Sequence, residues 1–244
     1  MKIVFSDFDG TLTLNGNLGA VFFDLLNIIK ANMSELVIVS GRSISWGHFL
    51  ITHFPLKHAI MEGGGVIVYK NQEGHIVEEN LISDEEIKKL EDITAELKER
   101  YPECIMSADS FGRRTDRAIE FAQMSKEDVE KVEIFLIKNN VNFSRSNVHI
   151  NFWVGDVSKS NGVKHFLKEY NPHVKPEECI FYGDAANDES MFEFFTNTVG
   201  VSNIISILGQ LTHKPKVILE GKENAGLNGV YNHVKELFES SEDF

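Results

Sequence analysis

The chain has 244 residues, 42% of them hydrophobic, and a formal net charge of −13. That length holds one large domain or two modest ones, and the apolar share excludes global disorder. The acidic balance argues against non-specific binding to nucleic acid or to an anionic membrane, so a phosphorylated ligand needs a local positive pocket.

In chain order, Lys2–Ser6 reads as a first strand, and Leu18–Lys30 carries Val21, Phe22, Leu25, Leu26 and Ile29 at helical spacing. Leu36–Val39 is a second apolar strand that ends at Ser40-Gly41-Arg42. Ala59–Met61 and Val66–Tyr69 flank Gly63-Gly64-Gly65, which predicts a tight turn between strands. Ser83-Asp84-Glu85-Glu86 is a capping-box signature that opens a helix to about Arg100, with strands expected at Cys104–Ser107 and Thr115–Ala122. Ser125 opens a second helix, followed by strands at Val141–Ser144 and Val148–Val154. Helix-strand-strand, twice over, reads as a small α+β module with weak internal duplication, too short for a repeat array. The alternating pattern then resumes: helix Ser160–Tyr170, strands Cys179–Tyr182, Thr198–Val201 and Lys216–Leu219, helix Tyr231–Glu239, and a frayed acidic end. The expected architecture is therefore α/β, with 1–75 and 156–244 forming a parallel-sheet core and 76–155 inserted into it.

Cys104 and Cys179 stand far apart without metal-ligand spacing, so no disulfide framework is expected. Only four residues separate Met1-Lys2 from Asp7, too few for the apolar stretch of a signal peptide. No apolar run approaches the ~18 residues of a membrane span. A cytoplasmic location and no membrane partner are the expectations; oligomeric state is not legible.

Asp7-Phe8-Asp9-Gly10-Thr11 follows the apolar run Ile3-Val4-Phe5. It places two carboxylates where a buried strand ends, the edge at which open α/β sheets bind ligands. Alternation along an extended chain points both acids the same way. Like charges that close are costly unless a cation or a shared proton relieves them, and Mg²⁺, which takes hard oxygen ligands, does so. Three further polar groups fall at strand ends or a helix start: Ser40 with Gly41, Lys159, and Gly183-Asp184-Ala185-Ala186-Asn187-Asp188. Each has a plainer alternative. Ser40 can cap the next helix, Lys159 can be a solvated lysine with Lys164 as its rival, and Asn187 and Asp188 can cap the helix after them. The nine histidines form no zinc pattern, and His48, His53 and His58, five residues apart, fit neither a helix nor a strand face.

In order and spacing, Asp7-x-Asp9-Gly10-Thr11, Ser40-Gly41-Arg42, Lys159 and Gly183-Asp184-x-x-Asn187-Asp188 resemble the four motifs of the haloacid dehalogenase (HAD) superfamily of phosphatases. Thirty residues separate Asp9 from Ser40, too few for an insertion there, so the inserted module falls between the second and third motifs and resembles the family's C2B cap. The resemblance implies a Rossmann-like core and a Mg²⁺-dependent phosphatase acting on a small phosphorylated substrate, a sugar phosphate or a phosphorylated organic acid. It implies Asp7 as nucleophile and Asp9 as general acid. Mg²⁺ is then held by Asp7, the backbone carbonyl of Asp9, Asp184 and Asp188, and phosphoryl oxygens by Ser40, Gly41, Lys159 and Asn187. Two readings compete: a phosphomutase that returns the group to another hydroxyl, and a metal- and phosphate-binding regulatory module without catalysis. One departure stands out, since Gly63 occupies the position where related proteins often carry Asn.

In the module, His149, Asn151 and Trp153 share one strand face opposite Ile150 and Phe152, and suit a polyol. Arg113, Arg114 and Arg117 offer recognition of a carboxylate or second phosphate, with a salt-bridged surface as the equal alternative.

Overall fold

The computed structural model describes residues 1–122, 124–145 and 149–240. Val148, which opens the expected last module strand, and residues 241–244 of the expected acidic end lie outside them.

The first strand, β1 (Ile3–Ser6), is buried along its length because helices cover both faces of its sheet. Val4 packs with α1 (Val21–Ala31), α2 (Ile44–His53) and α7 (Leu227–Glu239), through Phe22, Leu25, Leu50 and Val234. Ile3 and Phe5 face the opposite layer, α5 (Lys159–Tyr170) and α6 (Glu189–Phe194), through Val163, Phe166 and Phe192. The remaining strands of this sheet are β2 (Glu35–Val39), β3 (His58–Met61), β4 (Val66–Lys70), β5 (Ile76–Asn80), β10 (Cys179–Gly183), β11 (Thr198–Gly200) and β12 (Val217–Ile218). Their order is β12-β11-β10-β1-β2-β3-β4-β5, parallel from β12 to β3 and antiparallel beyond.

Between β5 and α5 lies the inserted module, α3 (Asp84–Arg100), β6 (Ile105–Met106), β7 (Asp116–Glu120), α4 (Lys126–Lys138), β8 (Asn142–Arg145) and β9 (His149–Trp153). Its antiparallel sheet has the order β6-β7-β9-β8. Leu90, Leu97, Val132 and Leu136 of the two helices pack on Ile119, Ile150 and Phe152, which leaves the opposite strand face uncovered by helices. Ser83 caps α3 reciprocally with Glu86, as the sequence signature requires.

Two elements escape the sequence reading. Helix α2 buries Ile44, Gly47, Leu50 and Ile51, but Trp46 and Phe49 on its outer side blur the apolar face. Strand β5 pairs with β4, so the large sheet runs past residue 75 to Asn80; all five of its residues are half-buried and two are glutamates, so it shows no alternation. His48 and His53 lie on α2 and His58 opens β3, which explains their lack of a common period.

The turn after β3 is a single 3₁₀ turn over Glu62–Gly64, with φ of +53° at Glu62, +66° at Gly63 and +106° at Gly64. Glu62 N–H donates to the Arg42 carbonyl at 2.9 Å and Gly63 N–H to the Ser40 carbonyl at 3.0 Å, so this turn buttresses the loop after β2.

Candidate active site

The carboxyl ends of β1, β2 and β10 and the first turn of α5 meet at one edge of the large sheet, where a parallel sheet opens for a ligand. Asp7 directly follows β1, is 4% exposed, and donates its N–H to the Tyr182 carbonyl at 2.9 Å. Asp188 comes back to the same point from the turn after β10; its Oδ2 accepts from the N–H groups of Asp184 and Ala185 at 2.9 and 3.0 Å. Carboxylate oxygens of Asp7, Asp184 and Asp188 all lie within 4.8 Å of one another. Lys159 Nζ bridges two of them, 2.5 Å from Asp7 Oδ1 and 2.7 Å from Asp188 Oδ1. Asp184 is oriented by Thr11 Oγ1 and Asn203 Nδ2, each donating at 2.8 Å. Gly10, at φ +85°, must lack a side chain because a Cβ there would collide with the Asp184 carboxylate.

Burial pushes the Asp184 carboxyl up to about 6, and the Asp188 charge adds to it. Asp7 is pushed up by burial; Lys159 pulls it back, while Asp188 and Asp184 push again. Burial disfavours the charge on Lys159, yet Asp188 and Asp7 outweigh it and hold the ammonium above the ordinary lysine range. Two buried carboxylates and the half-buried Asp184 against one lysine leave excess negative charge, and a hard, all-oxygen donor set of this kind fits Mg²⁺.

Asp9 does not join this cluster, contrary to the alternation argument. The chain leaves extended conformation after Ser6, so strand parity no longer applies at Asp7–Asp9. The Asp9 side chain is exposed and paired by both oxygens with Arg42, at 2.7 Å each, and the guanidinium carbon of Arg42 lies 4.5 Å from the Trp46 ring centroid. Ser40 is buried and its Oγ accepts from Arg42 N–H at 3.2 Å; it does not cap α2, whose N-cap position is Ser43. Asp188 holds the N-cap position of α6 but spends its oxygens on Lys159 and the turn, with no side-chain capping bond. Lys164 sits over the Phe194 ring, away from the cluster.

Beside Lys159 opens a cleft of about 210 Å³, whose lining includes Gly41, Gly63, Asn187, Asn151 and Trp153. Core and module thus form its two walls. Of the other module candidates, Arg117 donates to the carbonyls of Arg113 and Asp116. Arg114 lies 3.4 Å from Glu78 along a separate groove. His149 pairs in register with Glu120 at the start of β9, two positions before Asn151.

Several contributors have no single-residue signature. Arg42 was legible only as part of Ser40-Gly41-Arg42. Asn203 follows β11, and its place after a parallel strand was the available signal. Glu62 is 1% exposed and accepts from Thr115 N–H at 2.7 Å, Thr115 Oγ1 at 2.8 Å, Arg114 N–H at 3.0 Å and Ile44 N–H at 3.3 Å, and no local pattern announces that.

The sequence profile of the haloacid dehalogenase-like hydrolases matches residues 4–134 and 113–228. The chain belongs to that family. Among solved structures, this haloacid dehalogenase-like hydrolase is similar to a Thermoplasma acidophilum protein, with a TM-score of 0.73 at 16% identity over 96% of this chain and 98% of that one. It is similar to a phosphatase of the haloalkanoate enzyme superfamily from Bacteroides thetaiotaomicron, with a TM-score of 0.68 at 18% identity over 96% and 95% of the two chains. It is also similar to the sucrose-phosphatase of Synechocystis, solved with sucrose and phosphate, at a TM-score of 0.70 and 13% identity over 96% and 97%. At these identities the shared property is the fold. No curated protein sequence matches the chain. Among the described residues of the hydrolase, no helix is long and apolar enough to cross a membrane.

Proposed function

We propose that this hydrolase is a Mg²⁺-dependent phosphomonoesterase acting through an aspartyl-phosphate. The observation that carries the reading is the cluster of buried Asp7, Lys159 and Asp188 with half-buried Asp184, and Asp9 two residues from Asp7 on an exposed turn. Asp7 attacks phosphorus, forming a bond from its carboxylate oxygen as the bond to the ester oxygen breaks. Asp9 gives its proton to the departing alkoxide, then takes a proton from the water that attacks the phospho-aspartate; the Asp7–phosphorus bond breaks and phosphate leaves. For this Asp9 has to exchange its contact with Arg42 for one with the ester oxygen, and its exposure leaves room for that. Lys159 holds Asp7 in place and neutralises phosphoryl oxygens, with Ser40, Gly41 and Asn187 completing the phosphate's surroundings. Asp7, the Asp9 carbonyl, Asp184 and Asp188 would hold Mg²⁺, which when bound would neutralise charge on the transferring phosphoryl group. The substrate is a small sugar phosphate or phosphorylated organic acid, and residues 76–155 act as the cap that selects it.

The test is phosphate release from a generic aryl phosphate and a panel of sugar phosphates, with Mg²⁺ or with EDTA. Metal-dependent release, abolished in Asp7→Asn, is the expected result. Isomerised sugar phosphate without free phosphate would replace the reading by a mutase, and neither product by a binding module.

A further inference from the structure

Among the described residues, the module wall of the cleft presents no available cation. Register sets Asp116 opposite Trp153 and Ser144 opposite Asn151, and all four line the cleft. The arginines that the sequence offers for a second anion are engaged elsewhere. Arg113 is buried, held by both oxygens of Asp116 at 2.8 Å and by Asp109 at 2.8 Å, and it donates to the Gly41 carbonyl at 3.1 Å. Arg117 takes the opposite strand parity, across from Phe152, and Arg114 faces a different groove beside Glu78. Lys159, the one lysine or arginine among the described lining residues, is bound to Asp7 and Asp188.

Asn151 lines the cleft beside Ser144, and its amide and the Ser144 hydroxyl are neutral hydrogen-bonding groups. A substrate hydroxyl can pair with these neutral groups, whereas a carboxylate or second phosphate meets no free cation among the described lining residues and has the carboxylates of Asp116 and Glu62 beside it. Trp153 adds an apolar ring face suited to the C–H groups of a polyol.

We infer that the cleft selects by charge: the group esterified to phosphate is neutral and rich in hydroxyls, and substrates with a second anion are rejected. This rests on the phosphomonoesterase reading above and decides between its two substrate classes.

Matched pairs test it. Glucitol 6-phosphate against 6-phosphogluconate, and glycerol 3-phosphate against 3-phosphoglycerate, differ by a hydroxymethyl group in place of a carboxylate. The neutral member of each pair is expected to have the larger kcat/KM by at least about tenfold. Asn151→Lys, which supplies the missing cation, is expected to narrow that ratio by raising the acid's kcat/KM. Equal or better turnover of the acids by the unmodified enzyme would overturn the inference while leaving the phosphatase intact. So would an unchanged ratio in a folded Asn151→Lys variant. Absence of Mg²⁺-dependent turnover on both pairs and on the aryl phosphate would instead remove the phosphatase reading itself.

Discussion

A single lysine offsets the repulsion among three clustered aspartates. Lys159 reaches Asp7 and Asp188 at 2.5 and 2.7 Å, so Lys159→Met leaves these two buried carboxylates without a cationic partner. Losing one member of a buried pair costs about 3–5 kcal/mol. Thermal unfolding of Lys159→Met should therefore show a large drop in metal-free buffer, and saturating Mg²⁺ should raise its midpoint more than that of the unmodified protein. Asp7→Asn removes one of the repelling charges while keeping its volume; it should lose turnover yet unfold at or above the metal-free wild-type temperature, a comparison that calorimetry makes directly. Asp184 sets a pH dependence: with its carboxyl raised to about 6, it carries a proton below that pH which a cation must displace. Displacing that proton should weaken Mg²⁺ binding by up to about tenfold per pH unit as pH falls below 6, as titration calorimetry across pH 5–8 would show. These four residues were legible as motif positions. Their spacing along the chain marked strand ends, and a parallel sheet brings strand ends together. What could not be read was Asp9's partner, because the turn that redirects its side chain toward Arg42 begins where strand parity stops.

At the scale of elements, the turn Glu62–Gly65 is the joint. Its carboxylate is surrounded by donors alone, four groups from α2 and from the segment entering β7, so a neutral replacement cannot satisfy them all. Each buried donor left unpaired costs about 1–3 kcal/mol. Glu62→Ala should thus lower stability by roughly 3 kcal/mol or more, measurable as a shifted urea midpoint. Gly64 has a different constraint: at φ +106° a Cβ would run into the Ser158 carbonyl, one residue before Lys159. Gly64→Ala should displace the start of α5 and reduce turnover of every substrate alike, including a generic aryl phosphate, which a steady-state panel would reveal. From sequence, Gly63-Gly64-Gly65 announced a turn, but not what packs against it, because Thr115 and Ser158 arrive from positions far along the chain. Local patterns likewise revealed α3 through its capping box, yet hid α2 behind Trp46 and Phe49 and β5 behind its glutamates.

For the whole molecule, the layered core and the inserted α+β module followed from the alternation of apolar periods, since period 2 and period 3.6 are imposed by burial on one face of each element. The relation between the two sheets did not, because it depends on Arg113 reaching Gly41 and Glu62 reaching Thr115. That same joint has a consequence for how such a chain can be rebuilt. Leu81 N–H donates to the Gly65 carbonyl at 2.8 Å, and the Ser158 carbonyl packs against Gly64. The intervening stretch therefore departs and returns at adjacent residues of one turn. Closing so narrow a gap costs little whatever the length between, since loop-closure entropy grows only slowly with length. The segment therefore has the form of a cassette, and its exchange should leave the strand register beneath it in place so long as the incoming segment also supplies donors to Glu62.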